Sequence, residues 1–175
     1  MHEYDAKIYI VNQFERLGEK EYGTACAIKC LEKELGQESF IAMYGDNLYA
    51  PEDMKAFGAE DNFCYAGGLI HPHPEKYGIL ITRPDHTLEK IIEKPKNPET
   101  NLINCGFYKF TPEIFKAIAQ VNLSVRGEYE LTDAVSILAK QGRVKVQMIK
   151  KYWLDLGKIS DIPKMTKFLR GNFKT

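Results

Sequence analysis

The sequence predicts an α/β layer protein, on three observations. Short apolar runs of strand character alternate with amphipathic helical stretches along the chain. A hairpin-like pair interrupts that alternation near the middle. The 175 residues are enough to close a real hydrophobic core as a single domain over 1–175, with no repeat, low-complexity tract or obvious linker.

Each element has its own signal. AKIYIV (6–11) is β-branched and aromatic and reads as a strand, followed by the polar loop FERLGEKEYG. A helix is expected from about Ala25 to Leu35, with Thr24 as N-cap and Gly36 as stop. SFIAMY (39–44), short and apolar between turn residues, reads as a strand covered on both faces of a parallel sheet. Pro51 suits the first turn of a short helix, PEDMKAF. NFCYAGGLI is a further strand, and the prolines of IHPHPEKYG hold the next segment extended. ILIT and LEKII flank RPDHT as a hairpin that closes on Glu93-Lys94-Pro95. LINCGFYKF (102–110) is a strand, and Pro112 opens a helix to about Ile118. ELTDAVSILAKQG (130–142) is an amphipathic helix ending on Gly142, and RVKVQMI (143–149) alternates as a strand does. YWLDLG is a short strand or turn, and DIPKMTKFLR supplies the last helix.

The charge balance narrows the function. Lys plus Arg and Asp plus Glu both number 24, a formal net charge of zero, which argues against a nucleic-acid or polyanion surface. No apolar run reaches membrane length, and MHEYDAKIYIV is too polar for a signal peptide. The four cysteines lack the spacing of a disulfide framework, so a reducing, cytoplasmic home is expected. Cys26 and Cys30 with His71 and His73 suggest a zinc site at most weakly. No C-x₂-C pair exists, and the helical spacing turns both sulfurs toward the apolar stripe.

Asp46 follows the apolar run FIAM through Tyr44-Gly45, and Asp155 likewise follows apolar residues in YWLDLG. In open α/β sheets, ligands bind beyond the carboxyl ends of parallel strands. Gly45 lets the chain turn and a ligand come close. One carboxylate holds Mg²⁺ weakly, and such sites usually add a second carboxylate and substrate phosphates. A lone turn Asp bonded to its own backbone is the plainer alternative for either position.

Five pieces occur in order: YGTACAI; MYGDNLY; YGILIT with IIEKP; INCGFY with SVRGEYELTD; and KYWLDLG with SDI. This ordered set, from about Ile8 to Phe168, resembles the sugar-1-phosphate nucleotidylyltransferases, glucose-1-phosphate thymidylyl- and uridylyltransferases included. The resemblance implies a Rossmann-like mixed sheet of the nucleotide-diphospho-sugar transferase (GT-A-like) type. It implies transfer of a nucleotidyl group from a nucleoside triphosphate to a sugar-1-phosphate, releasing pyrophosphate. Glucose-1-phosphate with UTP or dTTP is the first expectation, ahead of mannose-1-phosphate with GTP.

The resemblance also assigns roles. Asp46 and Asp155 would share Mg²⁺, and Lys94 would contact the sugar phosphate. Glu93, Asn104 and Glu128 would accept or bridge sugar hydroxyls, with Arg126 on the phosphate side. Gly78 and Gly106 would admit the sugar against bare backbone, while Gly23 and Thr24 would form the base edge. A surface lysine in a charged hairpin and a helix-start carboxylate are the structural alternatives for Lys94 and Glu128. Trp153 suits a sugar stack or a core position equally.

The family's opening strand and its GGxGTRLxPxT loop, which cradles the triphosphate, have no counterpart in these residues. The expected difference is at least one βαβ unit, roughly 30 residues or more. A neighbouring strand edge is then expected to be open, so a homo-oligomer or a partner chain supplying strands is expected. A non-catalytic sugar-phosphate or nucleotide-sugar binding subunit is the alternative function. A GT-A glycosyltransferase ranks below both, because Gly45-Asp46-Asn47 lacks the second acid of Asp-x-Asp.

Overall fold

The computed structural model describes residues 7–172 except 36 and 59. In chain order the elements are α1 (Gln13–Leu17), α2 (Thr24–Lys29), α3 (Glu32–Leu35), β1 (Phe40–Met43), β2 (Asn47–Tyr49), α4 (Pro51–Lys55) and β3 (Cys64–Ile70). They continue as β4 (Gly78–Thr82), β5 (Leu88–Glu93), β6 (Leu102–Phe110), α5 (Glu113–Ile118), α6 (Leu131–Lys140), β7 (Val144–Met148), β8 (Trp153–Asp155) and α7 (Ile162–Asn172).

Most of the expected elements form where their signals lie. The first strand is an exception: residues 7–11 carry no ladder, and Ile8, Tyr9 and Ile10 are largely exposed, while Ala6 lies outside the described residues. Strand propensity supplies only half of a strand, and the other half is a neighbour to bond. The helix expected over 25–35 is broken into α2 and α3. Arg16 Nη1 donates to the Cys30 carbonyl at 2.7 Å, and Leu31 N reaches back to Ile28 O, so the turn tightens and the regular bonding stops. Thr24 is the first helical residue and Gly23 takes the cap position, contrary to the expected Thr24 cap. The expected stop, Gly36, lies outside the described residues.

The main sheet runs β5-β4-β6-β3-β7, with β1 also bonded to β6. It is mixed: β3 and β7 are parallel, and the other named pairs are antiparallel. β1 therefore departs from the expected buried parallel strand. It pairs antiparallel with β6, Phe40 opposite Phe110 and Met43 opposite Phe107, and its residues alternate between half-buried and exposed.

β6 organises the site. One of its edges carries β3, with Tyr65 opposite Lys109 and Ile70 opposite Leu102. Its other edge is shared: β1 takes the end at 107–110, and β4 bonds near the start, Ile79 opposite Ile103. Between those two partners the β3–β6 register slips. Ala66 faces Tyr108 and Gly68 faces Asn104, so Gly67 alone opposes residues 105–107. Such a bulge bends a strand and re-aims its side chains.

Two cores hold the layers. α2, α5 and α6 cover one face, packing Ile28, Ile114, Val135 and Leu138 against Tyr108 and Phe110. On the other face Phe57, following α4, meets Phe107 edge-on at 4.3 Å, with Tyr49 and Ile149 beside them. Each fully buried ring of this kind contributes about 1.5–3 kcal/mol over its exposed state.

β2 and β8 form a separate antiparallel ladder, Asn47 opposite Asp155 and Tyr49 opposite Trp153. Asp53, buried in α4, anchors its approach by accepting the backbone N–H of Lys150 at 3.0 Å and of Lys151 at 2.8 Å. Asp53→Ala strips an acceptor from both N–H groups and is expected to cost about 1.5–3 kcal/mol in urea unfolding, the range for bonds to a charged group.

Candidate functional site

The gap between β1 and β4 on the shared edge of β6 opens into two adjoining cavities, of about 580 and 210 Å³. Tyr44, Asp46, Glu93, Lys94 and Thr132 border both. Thr24, Gly106 and Arg126 border the larger one, and Gly78, Asn104 and Asp155 the smaller. Of the residues singled out from the sequence, Gly23 and Glu128 border neither.

The two aspartates meet across the β2–β8 ladder. Asn47 opposes Asp155, and Leu156 N donates to Asp46 O at 3.1 Å, so the carboxylates stand on neighbouring backbones. Burial raises the Asp155 pKa, and the charge on Asp46 raises it further. The Tyr77 hydroxyl donates to Asp155 Oδ2 at 3.5 Å and partly offsets this. Two carboxylates that repel one another in a half-dry cleft are relieved by a divalent cation. Among the described residues, no group of three or more His, Cys, Asp or Glu side chains converges to hold a metal. The donor set is thus one oxygen-rich pair with open positions. It fits Mg²⁺, which binds through one or two carboxylates plus substrate phosphates and water.

Lys94 stands at the end of β5 with φ of +42°, a left-handed conformation rare outside glycine. Its N–H donates to Tyr77 O at 3.1 Å, which fixes the turn that aims it into both cavities. Backbone strain of this sort gathers at ligand sites. Glu93 lies beside it, and burial raises its pKa. Gly78 makes room for that carboxylate: a Cβ there would lie 2.9 Å from Glu93 Oε2.

The Asn104 amide is already engaged, donating to the Tyr108 hydroxyl at 2.5 Å and accepting from Gly106 N at 3.3 Å. Gly106, with φ of +72°, lies under the Tyr44 ring, and a Cβ would come within 2.3 Å of that ring. Tyr44 fills the space a side chain would take, while Gly106 still borders the larger cavity. Gly23 packs in the same way against the Tyr129 peptide, 2.4 Å from Tyr129 O to a built Cβ. Thr24 Oγ1 accepts from Leu131 N at 2.9 Å, joining α2 to α6.

Arg126 Nε and Nη2 donate to Glu130 Oε1 at 3.0 and 2.8 Å, whereas Glu128 stays 3.8 Å from the guanidinium. Sequence reasoning missed Tyr44, Tyr77, Glu130 and Thr132. Glu128 and Glu130 are two apart in an extended segment, so alternation alone assigns them to one side and cannot choose between them. The cysteines are free and buried, and burial raises the Cys26 and Cys30 thiols, as for core sulfurs. Trp153 and His71 stack edgewise on Tyr77 behind Asp155.

The family described as Nucleotidyl transferase matches residues 2–172. The chain belongs to the nucleotidyl transferase family. It is 38% identical over 152 residues to a bifunctional sugar-1-phosphate nucleotidylyltransferase/acetyltransferase of Sulfurisphaera tokodaii, covering 86% of this chain and 37% of that protein. It is 34% identical over 145 residues to the UTP–glucose-1-phosphate uridylyltransferase AglF of Haloferax volcanii, covering 79% and 59%. A solved apo UDP-glucose pyrophosphorylase superposes with a TM-score of 0.77 at 20% identity, covering 87% of this chain and 62% of that one. The chain thus spans between a third and two thirds of these relatives. As a nucleotidyl transferase it has the expected mixed α/β sheet of the GT-A-like type. No described helix is long and apolar enough to cross a membrane.

Proposed function

We propose that this nucleotidyl transferase chain carries the sugar-1-phosphate and metal half of a site that makes nucleotide-sugars, glucose-1-phosphate with UTP or dTTP being the favoured pair. The observation that carries the reading is the convergence of Asp46, Asp155, Glu93 and Lys94 on one cavity. In the reaction, a phosphate oxygen of the sugar-1-phosphate attacks the α-phosphorus of the triphosphate and pyrophosphate leaves. Asp46 and Asp155 would hold Mg²⁺, which when bound supplies charge neutralisation to the phosphates. Lys94 contributes a point charge to the sugar phosphate, and Arg126 faces the same anion from the larger cavity. Glu93 accepts from sugar hydroxyls in a pocket dry enough to make those bonds strong. Thr24 borders the larger cavity where the base would lie, and Gly23 supports it from behind.

Isothermal titration of the chain with glucose-1-phosphate in Mg²⁺ tests the reading. Saturable binding that weakens when Mg²⁺ is removed is expected; no binding in either condition overturns it. A second reading is a sugar-phosphate-binding chain that acts with another polypeptide.

The open edge of β1 fits such a partner. Among the described residues β1 bonds to β6 alone, and Ile41 and Met43 on its outer face are 44% and 46% exposed. An unpaired apolar edge recruits strands. At micromolar concentration the chain is expected to elute above its 20.1 kDa monomer mass, and Ile41→Lys to shift it downward. A clean monomer for the unmodified chain counts against a strand partner of its own kind.

A further inference from the structure

We propose that Glu130 is a positioning residue, acting through Arg126 to aim a guanidinium edge at the phosphate of the bound sugar-1-phosphate; this rests on the reading of the site given above. Glu130 is only 6% exposed and stands immediately before α6, at its cap position. Its backbone neighbours are pinned on both sides: Tyr129 N donates to Tyr22 O, and Leu131 N donates to Thr24 Oγ1, each at 2.9 Å. The carboxylate is therefore a fixed post rather than a mobile surface acid.

Arg126 comes from a tight turn beside it. Gly127 N donates to Ser124 O at 2.9 Å, and Gly127 has φ of +76°. Ser124 Oγ donates to Glu130 Oε1 at 3.1 Å and accepts from Arg126 N at 3.2 Å, so one hydroxyl ties the turn to the post. Glu130 Oε1 then takes Arg126 Nε at 3.0 Å and Nη2 at 2.8 Å. Both bonds lie on one edge of the planar fork. Nη1 makes no hydrogen bond or ion pair among the described residues, Nη2 has Glu128 Oε2 at 3.8 Å besides Glu130, and Arg126 borders the larger cavity with Lys94. A guanidinium edge presents two parallel N–H groups at the spacing of two phosphate oxygens. Glu130 leaves Nη1 unbonded, so a phosphate need not displace the carboxylate.

The alternative is that Glu130 competes with the phosphate for Arg126, and a double-mutant cycle separates the two. Glucose-1-phosphate affinity in Mg²⁺ is measured calorimetrically for the unmodified chain, Glu130→Gln, Arg126→Gln and the double variant, with urea unfolding of each. Positioning predicts that Glu130→Gln weakens binding about tenfold, the low end for losing an outer partner of a ligand-holding group. It also predicts no further loss when Glu130→Gln is added to Arg126→Gln. Tighter binding by Glu130→Gln, or an equal loss in both backgrounds, overturns the proposal while the reading of the site stands. Failure of the unmodified chain to bind overturns both.

Discussion

Asp46→Asn and Asp155→Asn are each expected to lower the Mg²⁺-dependent affinity for glucose-1-phosphate by at least about 100-fold. The figure is the upper end for losing merely an outer partner of a metal ligand, and here a ligand itself would go. The β2–β8 ladder pairs the Asp155 backbone with Asn47, and Leu156 N holds Asp46 O beside it, so neither side-chain substitution touches this backbone pairing. Stability should move the other way. Burial and Asp46 raise the Asp155 pKa above its unfolded value, so its contribution to stability is fully present below the unfolded pKa and is lost as pH rises through the folded one. At neutral pH the charged Asp155 is therefore a burden that Asn removes. Asp155→Asn is expected to unfold at the same or higher urea concentration while its Mg²⁺ response disappears; a retained response in either variant refutes the shared-ion site.

Gly23→Ala is expected to lose about 2–6 kcal/mol of stability. The residue has φ of +128°, which side-chain-bearing residues rarely adopt. A Cβ there would also lie 2.4 Å from Tyr129 O and 2.5 Å from Tyr129 N. Those are backbone atoms, so no rotamer change relieves the clash. Overpacking a tight contact costs about 1–3 kcal/mol, and backbone strain adds about 1–3 kcal/mol more. The loss reaches the site, because the 129–131 segment bonds to α2 through Ala25 N to Tyr129 O and carries Glu130. Urea unfolding measures the first effect. A variant within 1 kcal/mol of the unmodified chain, on that order-of-magnitude scale, would show that the contact yields.

The hairpin of β4 and β5, the long β6 and helix α6 were legible in the sequence because their signals are local: turn residues at fixed offsets, or one amphipathic stripe. β1 was misread because a short apolar run signals a strand but neither which neighbour bonds it nor how far it is covered. The break after Lys29 was invisible because its cause, Arg16 on the Cys30 carbonyl, lies 14 residues away. Asp46, Glu93, Lys94 and Asp155 were singled out through the ordered pieces and are gathered at one cavity. Tyr44 and Tyr77 were not, since nothing in a tyrosine's local sequence says that its ring covers Gly106 or that its hydroxyl touches Asp155.

The divided edge of β6 gives the two walls of the cleft separate attachments, β1 at 107–110 and the β4–β5 hairpin at 103. Tyr77, immediately before β4, ties the hairpin to the acidic pair through its hydroxyl on Asp155 and its ring on Trp153. On the proposed reading, a change in the hairpin would therefore alter the fit of the sugar-1-phosphate and the hold on the ion together.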